Sequence, residues 1–122
     1  MAEYRTLKVP KGMAFKVLAN IVKAPLLDIS IGGCALESPN VIPPQVVISI
    51  RIDPLAFAIG ASERRKEPLE MTGRVTSSVK MASKQYRLGV CFIKIKKKDV
   101  ALIKSFMRSK EHRAFPRFSF SR

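Results

Sequence analysis

Two arginines four residues apart enclose a proline in Arg113-Ala-Phe-Pro-Arg117, near the C-terminal end of this 122-residue chain. Arginine suits planar anions: its fork donates two hydrogen bonds to a phosphate or to the O6 and N7 edge of guanine, and its flat face stacks on a base. Pro116 biases Phe115 toward extended backbone, which reduces the freedom lost when both guanidinium groups converge on one ligand. A second segment, Asp28-Ile-Ser-Ile-Gly-Gly33, carries complementary chemistry. Asp28 offers an acceptor for a guanine edge or an arginine, Ser30 a hydroxyl donor, and Gly32 and Gly33 backbone that can approach a ligand closely. Each segment also has a plainer reading. The first can be a solvated basic tail, and the second a β-turn capped by its aspartate. Phe115, Phe118 and Phe120 argue against a purely solvated tail.

The elements that must position these residues are mostly strands. Short β-rich segments at Ala14–Ala19, Ile21–Ile31, Cys34–Glu37, Val46–Ile52, Leu69–Lys80 and Gln85–Ile95 are separated by Gly, Pro, Asn or Ser. That pattern points to a sandwich or a small barrel. Val46, Ile48, Ile50 and Ile52 alternate with Val47, Ser49 and Arg51, the period of a half-buried strand. Pro43-Pro44 and Pro54 fix its ends, because proline brings no amide to a ladder. After the last strand, Val100, Ile103, Phe106 and Met107 fall at helical spacing. Asp99 is expected to cap this helix, and Lys104, Arg108 and Lys110 lie toward its other face and its C-terminal end. Its apolar stripe is expected to cover an open face or end of the barrel. Between strands, residues 56–67 form a basic excursion with Arg64, Arg65 and Lys66, read as a loop.

At 122 residues with 47% hydrophobic content, the chain fills about one domain. No run approaches the roughly 18 apolar residues of a membrane span, and the start lacks the apolar stretch of a secretory signal. A cytoplasmic location is expected. Cys34 and Cys91 are too few for a metal quartet or a disulfide framework and read as reduced core residues. Twenty-three Lys and Arg against nine Asp and Glu give a formal charge of +14, so the partners are expected to be anionic. The run Lys94-Ile-Lys-Lys-Lys98 reads first as a solvated strand end and loop. Nucleic acid ranks low among those partners, because no recognition helix or aromatic stacking platform accompanies the charge. His112, the lone histidine, reads as a cation at the helix C-terminus. No metalloprotease, P-loop, nucleophile-elbow or Cys–His pattern occurs, so no enzyme is expected.

R-x-x-x-R together with D-x-S-x-x-G resembles the PilZ family of bacterial cyclic di-GMP receptors. Gly73-Arg-Val75 and Tyr86-Arg-Leu-Gly-Val-Cys-Phe92 look like the family's late strand pair, and Asp99–Arg108 like its closing helix. The resemblance implies an all-β fold, a six-stranded antiparallel PilZ-like β-barrel closed by a C-terminal α-helix. It occupies residues 1–111, with 112–122 as a basic R-x-x-x-R tail. Carried over from the family, the cyclic di-GMP-binding residues are Arg113 and Arg117 for the arginine motif and Asp28, Ser30 and Gly33 for the second. Gly32 joins them for its place in the turn. The implied function is a second-messenger receptor in which ligand orders the tail and a protein partner receives the output.

The order of the motifs departs from the family, where the arginines usually precede the first strand. Here they follow D-x-S-x-x-G by 80 residues (113 minus 33). Three arrangements fit. A helix from Asp99 to about Glu111 spans roughly 20 Å, and the next six extended residues return about as far. The tail therefore reaches its own barrel, or that of a neighbouring protomer in a homo-oligomer. Alternatively, Arg113–Arg122 begins a second PilZ domain of a tandem pair, and the present barrel carries a degenerate upstream motif at Tyr4 and Lys8, or Arg5. In the third arrangement the protein binds no nucleotide and acts as an adaptor presenting a basic surface to a partner, since lysine in place of arginine lacks the bidentate fork.

Overall fold

The computed structural model describes residues 2–13, 21–53 and 67–108. Within them the order is β1 (Ala2–Lys8), β2 (Val22–Ala24), β3 (Leu26–Ile29), β4 (Gly33–Ser38), β5 (Val47–Ile52), β6 (Leu69–Lys80), β7 (Tyr86–Ile95) and α1 (Lys97–Arg108). All strand pairs are antiparallel, and the sheet order is β2-β1-β5-β6-β7-β4-β3. The two edge strands are consecutive in the chain, separated by Pro25 alone. One short segment thus supplies both edges, β2 lies against β4, and the sheet curls into a nearly closed barrel.

The six strands expected are corrected to seven. Ile21–Ile31 is two strands, because Pro25 has no amide to donate and interrupts the ladder. Its carbonyl instead accepts a hydrogen bond from Glu37 N at 2.9 Å, so the chain crosses from one sheet edge to the other without leaving the barrel wall. β1 was not expected at all. Its inward residues are Ala2, Tyr4 and Thr6, one small, one amphipathic and one polar, while the outward Leu7 is 48% exposed. Hydropathy therefore fails to mark the strand although its period of two is intact. Ala14–Ala19 and nearly all of the basic excursion lie outside the described residues.

The inward faces form one core. Val46, Ile48, Ile50 and Ile52 are all fully buried, as their alternation requires, and Leu36, Leu69, Val75 and Leu88 join them from β4, β6 and β7. Pro44 and Gln45 make the turn into β5, with Val46 N donating to Pro43 O at 3.4 Å and Gln45 at φ 79°. β6 is 12 residues long and stays in register with β7 only through two irregularities, between Thr72 and Gly73 and between Val75 and Ser77. The first sets Lys94 opposite Thr72 and Phe92 opposite Gly73, leaving Ile93 as the extra residue.

Helix α1 caps the core with Leu102, Ile103 and Phe106, while Val100 and Met107 are only partly buried. The stripe is rotated toward Leu102 relative to the expected one. Asp99 is not the N-cap: the helix starts at Lys97, and Val100 N donates to Lys96 O at 3.0 Å. The Asp99 carboxylate, fully buried, accepts from Glu70 N at 3.1 Å. Glu70 lies one residue beyond the last β6–β7 pair, Met71 with Ile95, so Asp99 continues the ladder where β7 stops. Lys98 adds an exposed ion pair to Glu67 at 3.0 Å.

This anchor is testable by thermal melting. Asp99→Ala removes the buried acceptor of the Glu70 amide and is expected to cost on the order of 1–3 kcal/mol, a fall in Tm of several degrees. Asp99→Asn keeps an acceptor oxygen and should recover most of the loss. An alanine variant melting with the wild type would refute the anchoring role.

Candidate functional site

The D-x-S-x-x-G segment is the β3–β4 hairpin. Ser30 N donates to Gly33 O at 2.8 Å, and Gly32 N donates to the Ser30 hydroxyl oxygen at 3.3 Å. The Ser30 hydroxyl in turn faces Gly33 O at 3.5 Å, a long contact. Gly32 O accepts from Phe92 N at 2.9 Å, which ties the turn to β7. The two glycines differ in what they permit. Gly33 pairs with Cys91, and a Cβ there would run into the carbonyl oxygen of Val90. A Cβ on Gly32 would meet nothing within 4 Å. Close backbone approach is thus required at Gly33, while Gly32 lies open to solvent.

Asp28 is half-buried in β3, opposite Ala35. Its charge is felt by Cys34, whose thiol is pushed up to about 12 from its ordinary 9.0, first by burial and then by the Asp28 carboxylate. Cys34 is therefore an inert thiol at neutral pH. The expectation of two core cysteines is corrected for Cys91, which is exposed on the outer face of β7. Alternation turns Cys91 outward with Arg87, while Leu88 and Val90 turn in.

Asp28, Ser30, Gly32 and Gly33 thus share one hairpin, with Ser30 holding the turn and Gly33 packed on β7. Arg113 and Arg117 lie outside the described residues, as do His112 and the three phenylalanines of the tail. At the place where the family's arginines usually stand, Tyr4 is in the core, 1% exposed, with its hydroxyl 2.6 Å from Ser38 Oγ. Arg5 and Lys8 are exposed in β1.

A groove of about 630 Å³ lies on the outer face of β1, β5, β6 and β7. Two cross-strand rows form its floor. Glu3, Arg51 and Glu70 stand in register, and Lys96 reaches Glu70 at 3.8 Å while Arg51 reaches it at 3.2 Å, so this row neutralises itself. The neighbouring row runs Arg5, Ser49, Thr72, Lys94. Sequence reasoning did not bring these positions together: it named Arg5 only for a degenerate upstream motif and read Lys94 as a solvated strand end. The signal was available in the outward residues Ser49 and Arg51 of a strand whose inward face was already recognised.

Among the described residues no group of three metal-ligating side chains occurs, and no helix is long and apolar enough to cross a membrane. The family described as PilZ domain matches residues 2–109. Comparison with curated proteins and with solved structures returned no match.

Two measurements test this geometry. Gly33→Ala is expected to destabilise the fold by about 1–3 kcal/mol through overpacking, whereas Gly32→Ala should melt within about 0.5 kcal/mol of wild type. Equal effects would remove the special role of Gly33. For Cys34 the sign follows from its raised pKa: between about pH 9 and 12 the unfolded chain releases a proton that the folded chain keeps, so stability falls as pH rises through that window. The wild type should therefore lose Tm more steeply than Cys34→Ala above pH 9, and parallel curves would contradict the assignment.

Proposed function

Because the chain belongs to the PilZ domain family, we propose that it is a cyclic di-GMP receptor whose tail is ordered by ligand and whose output is a protein contact. PilZ domains are non-catalytic receptor and adaptor modules, so the chain is a binding module and not an enzyme. On the proposed reading Arg113 and Arg117 supply the forks for phosphate and guanine. Asp28 accepts from a guanine edge or orients an arginine, and the Ser30–Gly33 turn supplies the facing surface.

One observation carries the choice of arginines. Tyr4 is committed to the core, and β1 leaves only Arg5 and Lys8 in the upstream position. A pair of forks must come from elsewhere, and Arg113 with Arg117 are the only arginines four residues apart in the sequence. The family match ends at residue 109, before both. That boundary is compatible with a tail acting on its own barrel, on a neighbour's, or as the opening of a second domain.

The adaptor reading is favoured by a different observation. The Ser30 hydroxyl and the Gly32 carbonyl already serve the turn and its bond to β7, so the hairpin is complete without ligand.

Calorimetry on the full chain separates the two readings. Cyclic di-GMP is expected to bind, and Arg113→Ala with Arg117→Ala to cost roughly 2–5 kcal/mol of affinity, since charge-assisted contacts are lost. Absence of binding to the intact protein, or undiminished affinity in the double variant, rejects the receptor reading in this form.

A further inference from the structure

We propose that the outer face of β1, β5, β6 and β7 is a docking site for an acidic, extended segment of a protein partner. The inference gives a location to the protein contact in the proposed function, and it does not depend on nucleotide binding.

The two rows of the groove differ in their charge accounting. Glu70 is shared by Arg51 and Lys96, at 3.2 and 3.8 Å, so the first row holds its own counter-charges. The second row, Arg5–Ser49–Thr72–Lys94, has a cation at each end and two hydroxyls between them. Among the described residues no carboxylate pairs with Arg5 or Lys94, and neither Ser49 nor Thr72 hydroxyl has a protein partner. Arg74, the next outward residue of β6 after Thr72, is also exposed and likewise without a paired carboxylate there. Three uncompensated cations therefore surround a pair of unused hydroxyls, in a protein of net charge +14. Exposed cations are usually just solvated. Here Arg5 and Lys94 line a groove of about 630 Å³, with Arg74 outside its lining.

The form of the groove selects its occupant. Its lining is an open sheet face of the two polar rows together with the exposed Ile21, so it does not enclose most of a small ligand's surface as a metabolite pocket does. It offers no stacking platform for a base: its one aromatic lining residue, Tyr4, is 1% exposed and committed to Ser38. An acidic peptide needs neither. Arg5 and Lys94 stand three strand spacings apart, about 14 Å at roughly 4.8 Å each, and an extended chain covers that in about four residues at 3.3 Å each. Carboxylates four residues apart then meet the two cations, while peptide carbonyls between them accept from Ser49 and Thr72.

The test is fluorescence anisotropy on the full chain with a fluorescein-labelled peptide carrying glutamate at every fourth position among serines and glycines. A peptide with the same glutamates clustered, pyrophosphate, and a short DNA duplex are competitors. Arg5→Glu with Lys94→Glu is expected to weaken the spaced peptide at least about tenfold, or 1.4 kcal/mol. Lys80→Glu with Lys84→Glu, an equal charge change at the far β6–β7 turn, should weaken it less than about twofold. Arg5→Gln with Lys94→Gln, set against Lys80→Gln with Lys84→Gln, provides the charge-matched comparison should the glutamate pair fail to fold. Equal losses in both regions would reduce the effect to net charge and overturn the site, as would no binding of the spaced peptide. Displacement by pyrophosphate or DNA through Arg5 and Lys94, in preference to the peptide, would reassign the groove to phosphate. Calorimetry with cyclic di-GMP on the same groove variants should be unchanged, which keeps failure of this site distinct from failure of the receptor reading.

Discussion

Barrel closure rests on one residue without an amide. A sheet of seven strands presents two edges, and an unpaired edge is a template for wrong pairing. Here both edges come from one stretch of chain, Val22–Ala24 on β1 and Leu26–Ile29 on β4, and Pro25 is the step between them. An ordinary residue at 25 would bring an amide able to extend one ladder or the other past the step. Proline brings none, and its carbonyl is taken by Glu37 N. The seam is also fastened inside. Ser38 Oγ donates to Asn40 O at 2.9 Å, which uses its single proton, so in the 2.6 Å contact Tyr4 is the donor. Tyr4 stands beside one edge strand and Ser38 beside the other, so this buried bond ties the barrel across the seam.

Register follows from closure, and the surface chemistry follows from register. In β5 the fully buried Ile48, Ile50 and Ile52 leave Ser49 and Arg51 no place except outside. A slip of one residue would put three isoleucines into water and an arginine into the core. The same pleat makes the core and aligns the two charged rows. In β7 the register is adjusted by the extra residue Ile93, which brings Lys94 opposite Thr72. Without that irregularity the cation row would end in an apolar side chain.

Much of this was legible in the sequence, and the parts that were not share physical causes. The alternation in Val46–Ile52 and the apolar spacing over Val100–Met107 mark elements whose burial is supplied by hydropathic residues, and both occur as such. β1 escaped because its inward positions are filled by Ala2, Tyr4 and Thr6, one small and two polar residues, of which Tyr4 is held inside by its bond to Ser38, a contact that a linear reading does not contain. Ile21–Ile31 looked continuous because hydropathy is unbroken across Pro25; the break is a matter of hydrogen bonding. Asp99 was recognised as important at the helix start, yet its carboxylate accepts from Glu70 N on β6, a tertiary contact 29 residues away. At the candidate site the motif was visible, but not that Gly33 is demanded by the Val90 carbonyl and Gly32 by nothing within 4 Å.

The hairpin that carries the family motif and the charged groove are joined through one strand. Phe92 N binds Gly32 O at the hairpin, Cys91 pairs with both Gly33 and Arg74, and Lys94 ends the groove's cation row. Residues 91–94 therefore belong to both surfaces. A rigid antiparallel ladder does not bend freely, but an irregularity is where it yields most readily, and the extra residue Ile93 lies between the two contacts. A ligand seated on the hairpin acts on the groove through this stretch only to the extent that it binds one arrangement of it more tightly than another. Cys91, exposed at the midpoint, faces neither core nor groove floor. A coupling carried by β7 needs no movement of the core, since the irregularity at Ile93 lies between the strand's contact with the hairpin and Lys94.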